Sequence, residues 1–319
     1  MPYKDRTVGL IAFGILTVLL GCAAGLLGVF MAFSQSLVPQ DQRMPAGSLV
    51  PAIGMYVVIG VILIVLGIGS AMARRWARAL LLIFSWAWLA IGVIEMVAMA
   101  IIMPMILANV PAVAAAPGQS APPTAAFMGI FMVIMFGFLG FFFILLPGIW
   151  TFFYYSPHVK ATVEARNPNP SWTDRCPLPV LALSLWMWLC VPWMLVMPLT
   201  GMWVMPLFGM LLTGYPAGVV CLLFAAIMAV VGWLTYRVDI RGWWTIVIFM
   251  ILACISGIIT FSLHNMIEIY QLMHYPQAQI DQLQKLGLFN GHAFVWVMIL
   301  TMVPVFGYLL FVRRYFVAK

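Results

Sequence analysis

Apolar positions in this chain neither alternate nor follow one helical face. They run continuously in eight stretches, with polar residues gathered between them. The stretches cover residues 8–32, 49–73, 77 to about 104, 126–154, 178 to about 198, about 214 to 236, 242–263 and 293–312. A helix needs about 20 residues to cross a hydrocarbon core about 30 Å thick. Within lipid no water satisfies the backbone, so a crossing segment is a helix or a strand of a closed barrel. Barrel strands alternate apolar and polar residues, and these runs do not. The pattern predicts an all-α polytopic membrane helix bundle with eight transmembrane helices.

The intervening segments differ in character. Residues 34–47 are a short loop with Asp41 and Arg43. Residues 107–125, LANVPAVAAAPGQSAPPTA, carry no charge and four prolines, which predicts an extended, flexible segment. Residues 200–213, TGMWVMPLFGMLLT, are too apolar for a free loop and are expected at the interface or against the bundle. Within 264–292, residues 277–286 read as a short amphipathic surface helix. Residues 156–177 join spans four and five, and Asn167-Pro168-Asn169-Pro170 stops any helix there. Pro147, Pro192, Pro198, Pro206 and Pro304 predict breaks in or beside spans four, five and eight.

Composition agrees with the pattern. Hydrophobic residues make up 65% of the 319, and charged residues only 7%, against roughly 25% in a soluble domain. Mean hydropathy is +1.11. These values exclude a soluble fold and a disordered chain. A net charge of +7 would suggest nucleic acid in a soluble domain. Here the basic residues border the spans, and none forms a patch large enough for several phosphate contacts. Membrane lipid is the expected partner, with other membrane proteins or a second copy of the chain as further candidates.

Lys and Arg also predict orientation. Lys4, Arg6, Arg74, Arg75, Arg78, Lys160, Arg166, Arg175, Arg237, Arg241, Arg313, Arg314 and Lys319 fall on one side if the chain crosses eight times. Arg43 and Lys285 fall on the other. The positive-inside rule then puts both termini in the cytoplasm of a bacterial inner membrane. Leu19-Leu20-Gly21-Cys22 resembles a lipobox, but the apolar run continues through Phe33, so an uncleaved first helix is the expectation. Five scattered cysteines with no C-x-x-C do not form a disulfide framework.

Sliding the chain by 163 residues lays Arg74 on Arg237 and Arg78 on Arg241, in equivalent short turns. A tandem duplication in parallel orientation is expected: a first four-helix unit at 1–155, a cytoplasmic linker at 156–177 and a second unit at 178–319.

Candidate chemistry is sparse. Glu95 is the one charged residue well inside a span, about 24 Å up the third helix from Ala79 at 1.5 Å per residue. An intramembrane carboxylate is costly unless paired, protonated or hydrated, which suggests an ion or ligand site or an outer-surface anchor. His264 and Glu268 share a face if the seventh helix continues past the membrane. They could bind a ligand or ion, but the pattern is no H-E-x-x-H, so no metal site is assigned. No histidine pair sits within the spans to hold haem, and no G-x-S-x-G or phosphate loop is present. No cofactor is expected. Ser85, Ser184 and Ser256 are read as bonding their own backbone or a neighbouring helix. Gly21 and Gly25 have the spacing of a close helix contact. The residues favour a non-catalytic accessory, structural or sensory membrane protein. A small transporter with a site near Glu95 is the alternative.

Overall fold

The computed structural model describes residues 4–38, 43, 46–114, 125–200, 203–277, 280–281, 284 and 291–317. The helices are α1 (Thr7–Leu37), α2 (Ala46–Ala71), α3 (Arg75–Ala114), α4 (Ala125–Gly140), α5 (Leu146–Tyr155), α6 (Pro157–Arg166), α7 (Leu178–Val196), α8 (Gly214–Tyr236), α9 (Ile240–Leu263), α10 (Met266–Leu272) and α11 (Gly291–Val317). A π-helical turn at Phe141–Leu145 joins α4 to α5. Strands β1 (Val204–Leu207) and β2 (Met210–Thr213) form one antiparallel hairpin. Among the described residues eight helical runs are long and apolar enough to cross a membrane, α4 through α5 counting as one. The fold is an all-α polytopic helix bundle, and the chain is a multi-pass membrane protein. Its large apolar side chains face outward: Val8 is 81% exposed and Phe152 85%. Only lipid covers such a surface at low cost.

Two expectations need correction. The segment expected to be extended from 107 is helical through Ala114, and the remainder up to 124 lies outside the described residues. The seventh span does not run on as helix: His264 and Asn265 are extended, and α10 starts afresh at Met266. Residues 204–213, expected at the interface or against the bundle, form the hairpin and pack on α9. The linker holds a ten-residue helix, α6, which Asn167 ends. The surface helix expected at 277–286 is described only at Gln277, Ile280, Asp281 and Gln284. There Ile280 is buried and the Gln277 amide donates to Asp281 at 3.0 Å.

One compact unit is built mainly from Met1–Val18 and Val65–Ser171. Phe13 stacks on Phe153 with ring centroids 4.0 Å apart and meets Trp150 edge-on. The Trp150 indole donates to Thr17 Oγ1 at 3.1 Å. Gly14 and Gly67 let α1 and α2 touch backbone to backbone, since a Cβ at either would stand under 2.8 Å from the other's carbonyl oxygen. Pro147 has no N–H to offer the Phe143 carbonyl four residues earlier. That carbonyl lies against Gly92 of α3, where any side chain would collide with it.

The other unit is built from Leu19–Ile64, Trp172–Asp281 and Phe289–Lys319. Gly21 and Gly25 pack on Gly60 of α2. Trp188 of α7 lies over Gly232 of α8, and Ser184 donates to the Gly232 carbonyl at 2.7 Å. Trp243 of α9 donates to the Leu309 carbonyl of α11 at 2.8 Å. Each bond satisfies a polar group that lipid could not.

Candidate functional site: a hairpin latched to helix α9

Ser256, Thr260, His264 and Glu268 recur every four residues. Three of them meet the hairpin turn at Phe208-Gly209. The first two lie on one face of α9, since that spacing stacks side chains along a helix. Both turn residues have positive φ, +46° at Phe208 and +85° at Gly209, as a tight two-residue hairpin requires. The Phe208 N–H donates to Ser256 Oγ at 2.8 Å, and the Gly209 N–H donates to Thr260 Oγ1 at 2.9 Å. Thr260 in turn donates to the Ser256 carbonyl at 2.8 Å. Ser256 and Thr260 are both buried. Gly209 suits the turn by its φ, and a Cβ there would have to push aside the end of the Leu263 side chain, 2.9 Å away.

His264 closes this ladder. Its Nε2 lies 3.0 Å from the Gly209 carbonyl oxygen, and its Nδ1 lies 2.9 Å from Glu268 Oε2. A carbonyl and a carboxylate are both acceptors, so both ring nitrogens donate, and a ring with two N–H groups is the imidazolium. The hydrogen bond to Glu268, then the one to the Gly209 carbonyl, raise the His264 pKa above its ordinary value. Neither nitrogen has a lone pair free for a metal in this arrangement. Glu268 reaches back from the first turn of α10, so the helix break at His264–Asn265 turns the carboxylate onto the ring. Strands β1 and β2 bring no titratable side chain to the ring.

The structure therefore brings His264 and Glu268 together. Glu95 belongs to the other unit, on the exposed surface of α3. It stands 20 residues from the start of that helix, about 30 Å at 1.5 Å per residue. Thr260 and the Phe208-Gly209 turn were not singled out as chemistry from the sequence, and Ser256, expected to bond its own backbone or a neighbouring helix, accepts instead from the hairpin turn. The available signal was the four-residue ladder that His264 and Glu268 continue. No protein-family model matches the chain, and neither curated proteins nor solved structures contain a match to it.

Proposed function

We propose that this multi-pass membrane protein is a non-catalytic sensory module whose proton-responsive element is the His264 latch. One observation carries the proposal: a partly exposed imidazole holds two acceptors on separate elements, and only its protonated form can hold both. Loss of one proton removes a donor from the Gly209 carbonyl or from Glu268 and loosens the hairpin from α9. The distribution of Lys and Arg supports an inner-membrane location with both termini cytoplasmic and the hairpin on the outer side. There the latch would meet external pH. The duplicated plan, 1–155 and 178–319 about the linker, belongs to the same proposal.

The sign of the pH dependence follows from the raised pKa. An unfolded histidine titrates near about 6.5. The latch contributes fully below that pH and is lost as pH rises through the higher folded-state value. Backbone hydrogen exchange at Phe208 and Gly209 in detergent tests this, comparing the protein with His264→Gln at each pH. Greater protection in the parent protein at pH 6, fading as pH rises past the unfolded value of about 6.5, is expected. Equal protection in both proteins at every pH would refute the latch.

A transporter with its site near Glu95 is favoured by one feature, an exposed carboxylate inside a span. Such a group costs about 2.5–3.5 kcal/mol in lipid unless something covers or protonates it. Proton-coupled uptake into proteoliposomes that Glu95→Gln abolishes would decide for transport. Unchanged flux across the pair would decide against it.

A further inference from the structure

We propose that a groove in the first unit is a binding site for an anionic phospholipid of the adjoining leaflet. The groove holds about 510 Å³ and is open on one side. Its apolar length is lined by Phe13 of α1, Ile144 and Leu145 of the π turn, and Ile149 of α5. Its polar end carries Arg6 and Ser156. From Ile144 to Ser156 is 12 residues, about 18 Å at 1.5 Å per residue. One leaflet contributes about half of a 30 Å core, so the groove is about one acyl layer deep.

Charge complementarity identifies the headgroup. The Arg6 side chain makes no hydrogen bond or ion pair among the described residues, although its backbone N–H is held by Thr162 Oγ1 at 3.0 Å. Ser156 begins the ten-residue helix α6 and makes no side-chain cap there. The positive end of that helix therefore opens on the same spot. Arg166 acts electrostatically on Asp5 and offsets its charge. The one acid at this end of α1, Asp5, already accepts from the Thr7 N–H at 3.0 Å and the Thr7 hydroxyl at 2.7 Å. Glu164 on α6 faces Lys160 at 3.9 Å. A phosphate is the group this end lacks, and a phosphate tethered to an acyl chain fills both ends of the groove.

Gly148 gives the test a clean handle. It lines the groove, and a Cβ built there meets nothing within 4 Å. The first carbon of a side chain at Gly148 therefore meets no obstacle, and Gly148→Leu puts an isobutyl group into the groove. Native mass spectrometry of the detergent-solubilised chain would compare phosphatidylglycerol with phosphatidylcholine of the same acyl length. The intact protein should prefer phosphatidylglycerol about tenfold, the worth of one charge-assisted hydrogen bond. Arg6→Gln should bind both lipids equally, and Gly148→Leu should lose both. Arg241→Gln, on α9, should keep the preference, and inorganic phosphate should fail to displace the lipid. Equal binding of both lipids by the intact protein would overturn the proposal. So would full retention in Arg6→Gln and Gly148→Leu, an Arg241→Gln effect as large as that of Arg6→Gln, or displacement by inorganic phosphate.

Discussion

The turns joining α2 to α3 and α8 to α9 are made alike and anchored differently. In the first, the Ala73 N–H bonds the Ser70 carbonyl and the Arg74 N–H bonds the Gly69 carbonyl. In the second, Val238 and Asp239 bond the Thr235 and Leu234 carbonyls in the same way. Each places a non-glycine residue in the left-handed region, Ala73 at φ 51° and Val238 at φ 58°. This is the two-bond close of a helix that usually ends on glycine. The surroundings diverge at once. Ser70 Oγ contacts the Leu10 carbonyl at 3.1 Å and the Tyr154 hydroxyl at 2.7 Å. The Asn167 amide donates to the Ala73 carbonyl at 2.7 Å, and Arg75 Nε donates back to the Asn167 carbonyl at 2.6 Å. At the second turn Thr235 Oγ1 is buried with no hydrogen-bond partner among the described residues. Asp239 simply caps α9 by accepting from the Arg241 N–H at 2.9 Å. Local backbone chemistry makes the turn, whereas partners distant in sequence decide how firmly it is held.

Substitutions can break that contrast. Ser70→Ala should have the largest effect, a loss of about 1–3 kcal/mol, because it removes the Ser70 hydroxyl that meets the buried Tyr154 hydroxyl at 2.7 Å. Reversible denaturation in mixed micelles would measure it, and no loss would refute the anchoring role. Asn167→Ala should cost about 1–2 kcal/mol by orphaning the Ala73 carbonyl. Hydrogen exchange should quicken at residues 72–75 and stay unchanged at 237–240. Thr235→Val should be neutral or stabilising by up to about 1 kcal/mol, since it removes a buried hydroxyl that bonds nothing. A clear loss there would reveal a partner for Thr235. Ala73→Gly should gain about 0.5–1 kcal/mol by relieving left-handed strain. Val238→Gly should come out near zero, because its larger relief is offset by the lost burial of the isopropyl group.

The spans were legible because lipid imposes a length, and an unbroken apolar run of that length has few alternatives. The turn register was not. Arg74 and Arg237 suggest an offset of 163 residues, whereas the hydrogen bonds place Arg74 and Asp239 at the same step, an offset of 165. Arginines mark where a helix leaves the bilayer and say little about which residue turns the chain. The hairpin was hidden for another reason. Pro206 argues against a strand, and a lone two-stranded hairpin is marginal in isolation. This one is anchored by Ser256, Thr260 and His264, some 50 residues away in sequence. The His264–Glu268 pair was legible from its spacing, although it forms across a helix break rather than along a continuous helix.

The protonation state of His264 tests the account most directly. Imidazole ¹⁵N spectra of the labelled protein in micelles, with His264→Gln assigning one signal among the four histidines, would report both ring nitrogens. With its pKa raised by Glu268 and the Gly209 carbonyl, His264 should keep both Nδ1 and Nε2 protonated to a higher pH than an unfolded histidine, which titrates near about 6.5. Loss of the proton at or below that pH would contradict the latch.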